Sequence, residues 1–445
     1  MRRALRIVVI GAGDVWVGPA ILSDLFTVAD RLRGSELWLV DADESAVALM
    51  ARVAAHANDL AGRAFAISHT TDRRVALAGA HVVLLAATVD RLATWRLDWQ
   101  LPLRHGVRHV RGENGGPGGL SHALRSIPLA LSVARDVEEL CPTALLINLT
   151  DPLSRVCLAL ARHTRVRCVG LCSHGTEGYR LVNRVLGLVE PIDQAEAART
   201  EEIEQKITLT IAGLNHFTFI LDMRERASGR DLYPVFRERV RQMPPDFALL
   251  SRRLLDAFGL FCAAGDLRVG EFLGFAHETI PLLGPDFAAY ERQRGERLAQ
   301  MHAVARGESS FDIQPDGARS AHLIVAVAEA YAVADPVSRL ECTVSVPNGG
   351  CIGNLPAGAV VEVPAVVNRL GVHGASVGDL PAGLAALLRR EIDIQELTVE
   401  AAVRGDRSAA LQALLLDPHI HSYTQAEHLL DDLLRAHAKH LPQFA

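Results

Sequence analysis

The chain has 445 residues, 49% of them hydrophobic and 22% charged, with a formal net charge of −6. This is enough apolar chain to bury a large core, which excludes disorder as the main state. No surplus of Lys and Arg is present to neutralise phosphates, so a nucleic-acid partner is disfavoured and a small diffusible ligand is expected.

The start, Met1 to Arg6, is basic, but the apolar run after it ends at Gly11 and is too short for a secretory signal. Arg6 to Ile10 is a β-branched run suited to a strand buried on both faces. Gly11-Ala12-Gly13-Asp14 follows, then an apolar-periodic stretch from Val17 to Phe26 that predicts a helix. Leu37 to Val40 reads as a second strand closed by Asp41, and His81 to Ala87, Ala144 to Asn148 and Val166 to Leu171 repeat the strand pattern. Strands alternating with helices imply a parallel sheet with right-handed crossovers. The expected class is α/β: a Rossmann-type, doubly wound parallel sheet over residues 1–195, then a second α/β (α+β) domain over 196–445. In that second half Gln205 to Ala212 reads as a strand followed by Asn215-His216. Tyr233 to Ala305 reads as helix-rich, Cys342 to Val367 as strands punctuated by Gly and Pro, and the rest as helices. No run reaches the ~20 apolar residues of a membrane helix, so no membrane association is expected. Seven cysteines, odd in number and loosely spaced, point to reduced thiols and a cytoplasmic setting.

Gly11-x-Gly13 lies between a strand and a helix, where glycines let backbone approach a pyrophosphate and the helix N-terminus offers free N–H groups. Asp41 is placed to accept from ribose hydroxyls, which favours NAD over NADP. The third glycine is displaced to Gly18. A carboxylate beside a phosphate is unfavourable, so Asp14 is read as a helix cap at the cofactor loop. Arg111 to Gly119 is too glycine-dense for regular structure and reads either as a flexible connection or as a loop bringing backbone close to a ligand. Cys172 and His216 each follow a predicted strand. A thiolate and an imidazole suit a divalent metal, although spacing alone equally fits a buried thiol and a satisfied histidine. His174 is near enough to be a ligand, an acid or a surface side chain. Asp266, Arg268 and Glu271 cluster in a glycine-bounded segment, either as an ion-pair face or as a base with substrate contacts.

Taken in order, these segments resemble glycoside hydrolase family 4, the NAD- and metal-dependent glycosidases, and most closely its α-galacturonidase and α-glucosidase branch. The resemblance rests on the turn at Gly11, Asp41, Arg96-Leu97-Asp98, Gly116-Pro117-Gly118-Gly119, Asn148-Leu149-Thr150-Asp151-Pro152 and Gly170-Leu171-Cys172. Gly213 to Thr218, Gly265-Asp266 with Glu271-Phe272, Val346 to Gly350, Asn354-Leu355-Pro356 and Asp417-Pro418 complete it. It implies NAD near Gly11, Gly13, Asp14, Asp41 and Asn148, and a divalent metal, Mn²⁺ first, on Cys172 and His216. It further implies Asp266 as base, His174 in an acid or metal role, and Asn114, Asp151, Asn215, Arg268 and Glu271 around the sugar.

The implied reaction is redox-neutral and outside the usual two-carboxylate scheme. NAD⁺ oxidises carbon 3 of the sugar, a base removes the acidified proton on carbon 2, the glycosidic oxygen is eliminated, water adds, and the hydride returns. Four positions depart from the family pattern: Cys172-Ser173-His174, Asp151 for an asparagine, Arg268 for a histidine, and Asp14 for a serine. Arg268 suits the carboxylate of a uronic acid such as galacturonate or glucuronate, or else pairs with Asp266 or Glu271. With only 5% aromatic residues, sugar recognition by stacked rings is not expected. The resemblance implies a homodimer or homotetramer, with subunit contacts in the second half. The competing readings are an NAD-dependent 2-hydroxy-acid dehydrogenase without metal and a catalytically altered NAD-binding protein.

Overall fold

Strand β1 (Arg6–Ile10) is paired in parallel on both sides, with β2 (Ser35–Val40) and β4 (Val82–Leu85), and β3 (Phe65–Thr70) flanks β2. Beyond β4 come β5 (Leu145–Asn148) and β6 (Arg167–Gly170), giving the order β3-β2-β1-β4-β5-β6 of a dinucleotide-binding sheet. The computed structural model describes residues 4–172, 174–189, 200–281, 284–311, 323–326, 338–368 and 371–445.

The sheet does not end at β6. It continues through β7 (Ile207–Leu214), β8 (Phe217–Glu225), β9 (Phe261–Cys262), β10 (Ser338–Pro347) and β11 (Val360–Asn368), in the spatial order β6-β10-β11-β7-β8-β9. β12 (Gly371–Gly374) pairs with β11 off that path. All pairings in this second half are antiparallel. One register row crosses four strands: Gly170 faces Ser345, Ser345 faces Glu362, and Glu362 faces Gly213.

Alternation along β1 sends Ile7 and Val9 to one face and Val8 and Ile10 to the other. The first pair packs with α1 (Val17–Thr27) and α2 (Glu44–Leu60). The remaining helices before the C-terminal group are α3 (Arg73–Leu77), α4 (Arg91–Arg104), α5 (Gly116–Leu140), α6 (Leu153–His163), α7 (His174–Leu186) and α8 (Thr200–Lys206). They are followed by α9 (Tyr233–Gln242), α10 (Leu249–Phe258), α11 (Asp266–Val269) and α12 (Phe287–Ala305). Val8 and Ile10 pack with α5, α6 and the helix Ala382–Arg404. Helices Arg407–Leu416 and Tyr423–Ala436 extend that layer. A third cluster sits between α7, α8, α9 and the outer strands β7 and β8. Among the described residues no helix is long and apolar enough to cross a membrane, and six cysteines are free thiols.

The apolar strands of the first half match their expected positions within a few residues. β3, β8, β9 and β12 are additional: β9 falls within the stretch read as helix-rich and β12 within the chain read as helices, while β3 alternates buried, half-buried and exposed residues and lacks the apolar run that marks its neighbours. The glycine-dense stretch is also corrected, because irregular chain ends at Gly115 and Gly116 to Gly119 form the first turn of α5, with Pro117 at its start. Crowding explains the glycines. A Cβ on Gly118 would lie 2.3 Å from the carbonyl oxygen of Gly112, and one on Gly119 would lie 2.6 Å from that of Asn114. Gly118→Ala is therefore expected to destabilise the fold by about 1–3 kcal/mol, the usual range for overpacking, measured by urea unfolding; unchanged stability would show that the loop yields freely.

Candidate active site

The parallel strands β1, β4, β5 and β6 end on one edge, and the loops leaving them build the site. Leaving β1, the N–H groups of Gly11 and Ala12 donate to Val40 O at 2.9 and 3.1 Å. Gly11 has φ +88°, and a Cβ there would meet Ala86 O at 2.6 Å, so only glycine suits. Gly13 N donates to Asp41 Oδ2 at 2.9 Å, which fixes the carboxylate beside the loop. Asp14 accepts from Trp16 N and Val17 N at 2.8 and 2.9 Å, the capping role expected of it. Gly18 keeps its side of α1 clear for Ala12 O, which a Cβ would meet at 2.2 Å; this is the tight helix–loop packing a third glycine serves. Sequence reasoning missed the cover over this loop. Trp16 is overlaid by the Arg297 guanidinium at 4.2 Å and met edge-on by Tyr290, both on α12.

At the end of β5, Asn148 is fully buried with its amide turned onto Thr150, donating to its carbonyl at 3.1 Å and accepting from its N–H at 3.2 Å. These bonds shape the turn into Asp151-Pro152, which is a cis peptide bond. Burial pushes the Asp151 carboxyl up to about 6, with Glu113 adding to the rise and Arg91 opposing it.

Cys172 and His216 converge, Sγ to Nε2 at 3.7 Å. Cys172 follows β6, while His216 sits in the two-residue turn between β7 and β8 with φ +65°. Burial pushes the thiol well above its ordinary value, Asp151 and Glu362 push it further, and Arg268 and a hydrogen bond with Asn215 oppose them. Burial, then Arg268, pushes the imidazole down, so His216 is neutral, the form that ligates a metal. Among the described residues no set of three or more His, Cys, Asp and Glu side chains is arranged to hold a metal ion. A cation here has two protein donors of suitable chemistry and leaves its other positions for ligand oxygens. His174 opens α7, and its side chain lies outside the described residues.

The loop before α5 is held from two sides. Glu113 pairs with Arg91 at 3.1 Å and Arg111 at 2.7 Å; although burial opposes it, the two guanidinium groups hold the carboxyl well below its ordinary range. Glu271 Oε2 accepts three backbone N–H bonds, from Glu113 and Asn114 at 2.8 Å and from Gly115 at 3.2 Å. Glu271 therefore clasps the loop with Oε2, while its Oε1 is buried with no hydrogen bond among the described residues. The loop presents Asn114, which is buried beside the Asp151 carboxyl.

Asp266 spends both oxygens on the start of α10, accepting from Leu250 N at 2.8 Å, Ser251 N at 2.9 Å and Ser251 Oγ at 2.6 Å. With Asp266 and Glu271 so engaged, Arg268 forms no ion pair with either. Its guanidinium is half-buried and acts on both Cys172 and His216. Asn215 donates to Glu362 Oε2 at 2.8 Å. Glu362 is a second residue the sequence reading missed, although a lone carboxylate inside the apolar run Val360 to Val363 was its signal.

A dinucleotide loop, a thiol–imidazole pair and a buried glycine-rich loop on one sheet edge define a cofactor-dependent α/β enzyme. Residues 6–188 match the model of the family 4 glycosyl hydrolases, and residues 211–420 match that of the family 4 glycosyl hydrolase C-terminal domain. An α-glucosidase of Erwinia rhapontici is 31% identical over 93% of this chain and 94% of its own. An α-galacturonidase of Bacillus subtilis is 28% identical over 97% of each. A 6-phospho-α-glucosidase from gut microorganisms, solved in complex with NAD and Mn²⁺, superposes with a TM-score of 0.84 over the whole of both chains at 20% identity. The chain belongs to glycosyl hydrolase family 4 and is a glycoside hydrolase.

Burial raises Glu271 from 4.5 to about 7, with Glu113 adding and Arg111 and the loop N–H groups opposing. A carboxyl raised on folding binds protons more tightly in the native state, so its contribution to stability is greatest below about pH 4.5 and declines up to about pH 7. The stability of the parent relative to Glu271→Gln is expected to fall by up to about 3 kcal/mol between pH 4.5 and 7.5, followed by urea unfolding. A difference independent of pH would remove the titration of Glu271.

Proposed function

We propose that the protein hydrolyses α-glycosides of a uronic acid with NAD⁺ and Mn²⁺. The observation that carries this reading is the Cys172–His216 pair beside Arg268, a cation without an ion pair among the described residues, where an anionic sugar would lie. The relatives support the cofactors and the reaction class, while their names span glucosides, galacturonides and phosphoglucosides. In this reading residues 1–195 hold the dinucleotide and residues 196–445 the sugar and the subunit contacts of a cytoplasmic homodimer or homotetramer.

Cys172 and His216 would hold the metal, and the N–H groups and close backbone at Gly11 and Gly13 would receive the pyrophosphate, with Asp41 at the ribose. When bound, NAD⁺ exchanges a hydride with carbon 3 and the metal acts as a Lewis acid toward the oxygens on carbons 2 and 3. Asp266 takes the proton on carbon 2. The bonds from α10 fix its carboxylate, and Oδ2, with a single donor, keeps a lone pair. Arg268 binds the uronate carboxylate, and Asn114 supplies a donor and an acceptor to sugar hydroxyls. Asp151, half-buried beside Cys172, adds an acceptor on the same side.

In a panel of nitrophenyl glycosides and uronides with NAD⁺, Mn²⁺ and a reductant, the uronides are expected to be cleaved best. Solvent deuterium should appear at carbon 2 of the product. Activity independent of both cofactors would reject the scheme. Cys172→Ser should abolish Mn²⁺-dependent cleavage, and Asp266→Asn should abolish the deuterium label. For Arg268→Ala, KM for the uronide should rise about ten- to a hundredfold, the worth of a charge-assisted hydrogen bond, with a neutral glycoside little affected. Equal losses on both substrates would remove the uronate assignment.

A further inference from the structure

Glu362 is buried in β11 and carries no cation partner among its hydrogen bonds. Its Oε2 accepts from Asn215 Nδ2 at 2.8 Å and its Oε1 from Thr343 Oγ1 at 2.8 Å. Thr343 lies on β10, so the carboxylate ties the hairpin β10–β11 to the turn that follows β7. Asn215 is the first residue of that turn and His216 the second. The backbone N–H of Asn215 donates to Ser154 Oγ on α6 at 3.3 Å. Asn215 thus precedes the imidazole and is itself oriented by Glu362.

Orienting partners of this kind matter because the turn is not at rest. His216 has φ +65°, a conformation that costs a non-glycine residue free energy unless its surroundings impose it. Strand pairing fixes both sides of the turn, Leu214 opposite Phe217, but leaves the two turn residues without a ladder. The Glu362–Asn215 bond supplies the missing restraint from the neighbouring strand.

We propose that Glu362 is a positioning residue for the cation site: through Asn215 it sets the turn that presents His216 to Cys172. This rests on the reading of Cys172 and His216 as metal donors. Glutamine at 362 can keep both bonds, its carbonyl accepting from Asn215 and its amide donating to Thr343, whereas methionine has a similar shape and keeps neither.

The test is Mn²⁺ binding to the purified full-length protein, titrated by electron paramagnetic resonance, with NAD⁺ affinity and Tm measured alongside. Glu362→Met is expected to weaken Mn²⁺ binding ten- to a hundredfold, the usual effect of losing a partner behind a ligand, with NAD⁺ affinity unchanged. Glu362→Gln should stay within about threefold of the parent. Asn215→Ala, which cuts the same link at its other end, should lose as much as Glu362→Met and serves if that variant does not fold. Parent-like Mn²⁺ affinity in Asn215→Ala or Glu362→Met would overturn the proposal. So would an equal loss in Glu362→Gln, since charge and not orientation would then be the cause. A parent that binds no Mn²⁺ would overturn the metal reading itself, and this inference with it.

Discussion

The site depends on bringing a thiol and an imidazole 44 residues apart in sequence to within 3.7 Å of each other. The strands that carry them, β6 and β7, are not neighbours. Two strands from much later in the chain, β10 and β11, lie between them. The row Gly170, Ser345, Glu362, Gly213 spans that gap, and Cys172 and His216 stand just beyond its ends. Gly170 is part of this constraint, because a Cβ there would press on Cys157 Sγ at 2.7 Å and Ser345 Cβ at 2.9 Å. The thiol–imidazole pair therefore forms only when the C-terminal hairpin has joined the sheet.

Three buried carboxylates lie at the site, and each has a different set of partners. Glu113 is neutralised by two arginines, Glu271 is solvated by three backbone N–H groups, and Glu362 is held by an amide and a hydroxyl. Burying charge without such partners is costly, so each carboxylate fixes the element that supplies its donors. Two of them hold the ends of one loop, with Asn114 between them. Arg91 and Arg111 are committed to Glu113, and Arg268 forms no ion pair among the described residues.

Much of the first half was legible because its strands are continuous apolar runs, the signature of a sheet covered on both faces. The glycines at 11, 13 and 18 could be placed on a strand–turn–helix from their neighbours alone. β3 was not visible, since a half-exposed strand carries polar residues and resembles a loop. The start of α5 was hidden by glycines that serve packing against Gly112 and Asn114, not flexibility. The proximity of Cys172 and His216 could not be read from spacing, because it depends on residues 338–368 entering between their strands; only the resemblance supplied it. The bonds that Glu271 and Asn148 make to backbone were likewise unreadable, since no motif records them.

The continuity of the sheet carries a mechanical consequence. In many two-ligand enzymes a hinge separates the halves, and closure assembles the reacting groups. Here twelve strands form one hydrogen-bonded plate from β3 to β9, with the dinucleotide loop and the thiol–imidazole pair along it. A hinge across β6, β10, β11 or β7 would break ladder bonds and the buried row that seats His216. The spacing between the glycine loop after β1 and the thiol–imidazole pair is therefore set when the chain folds.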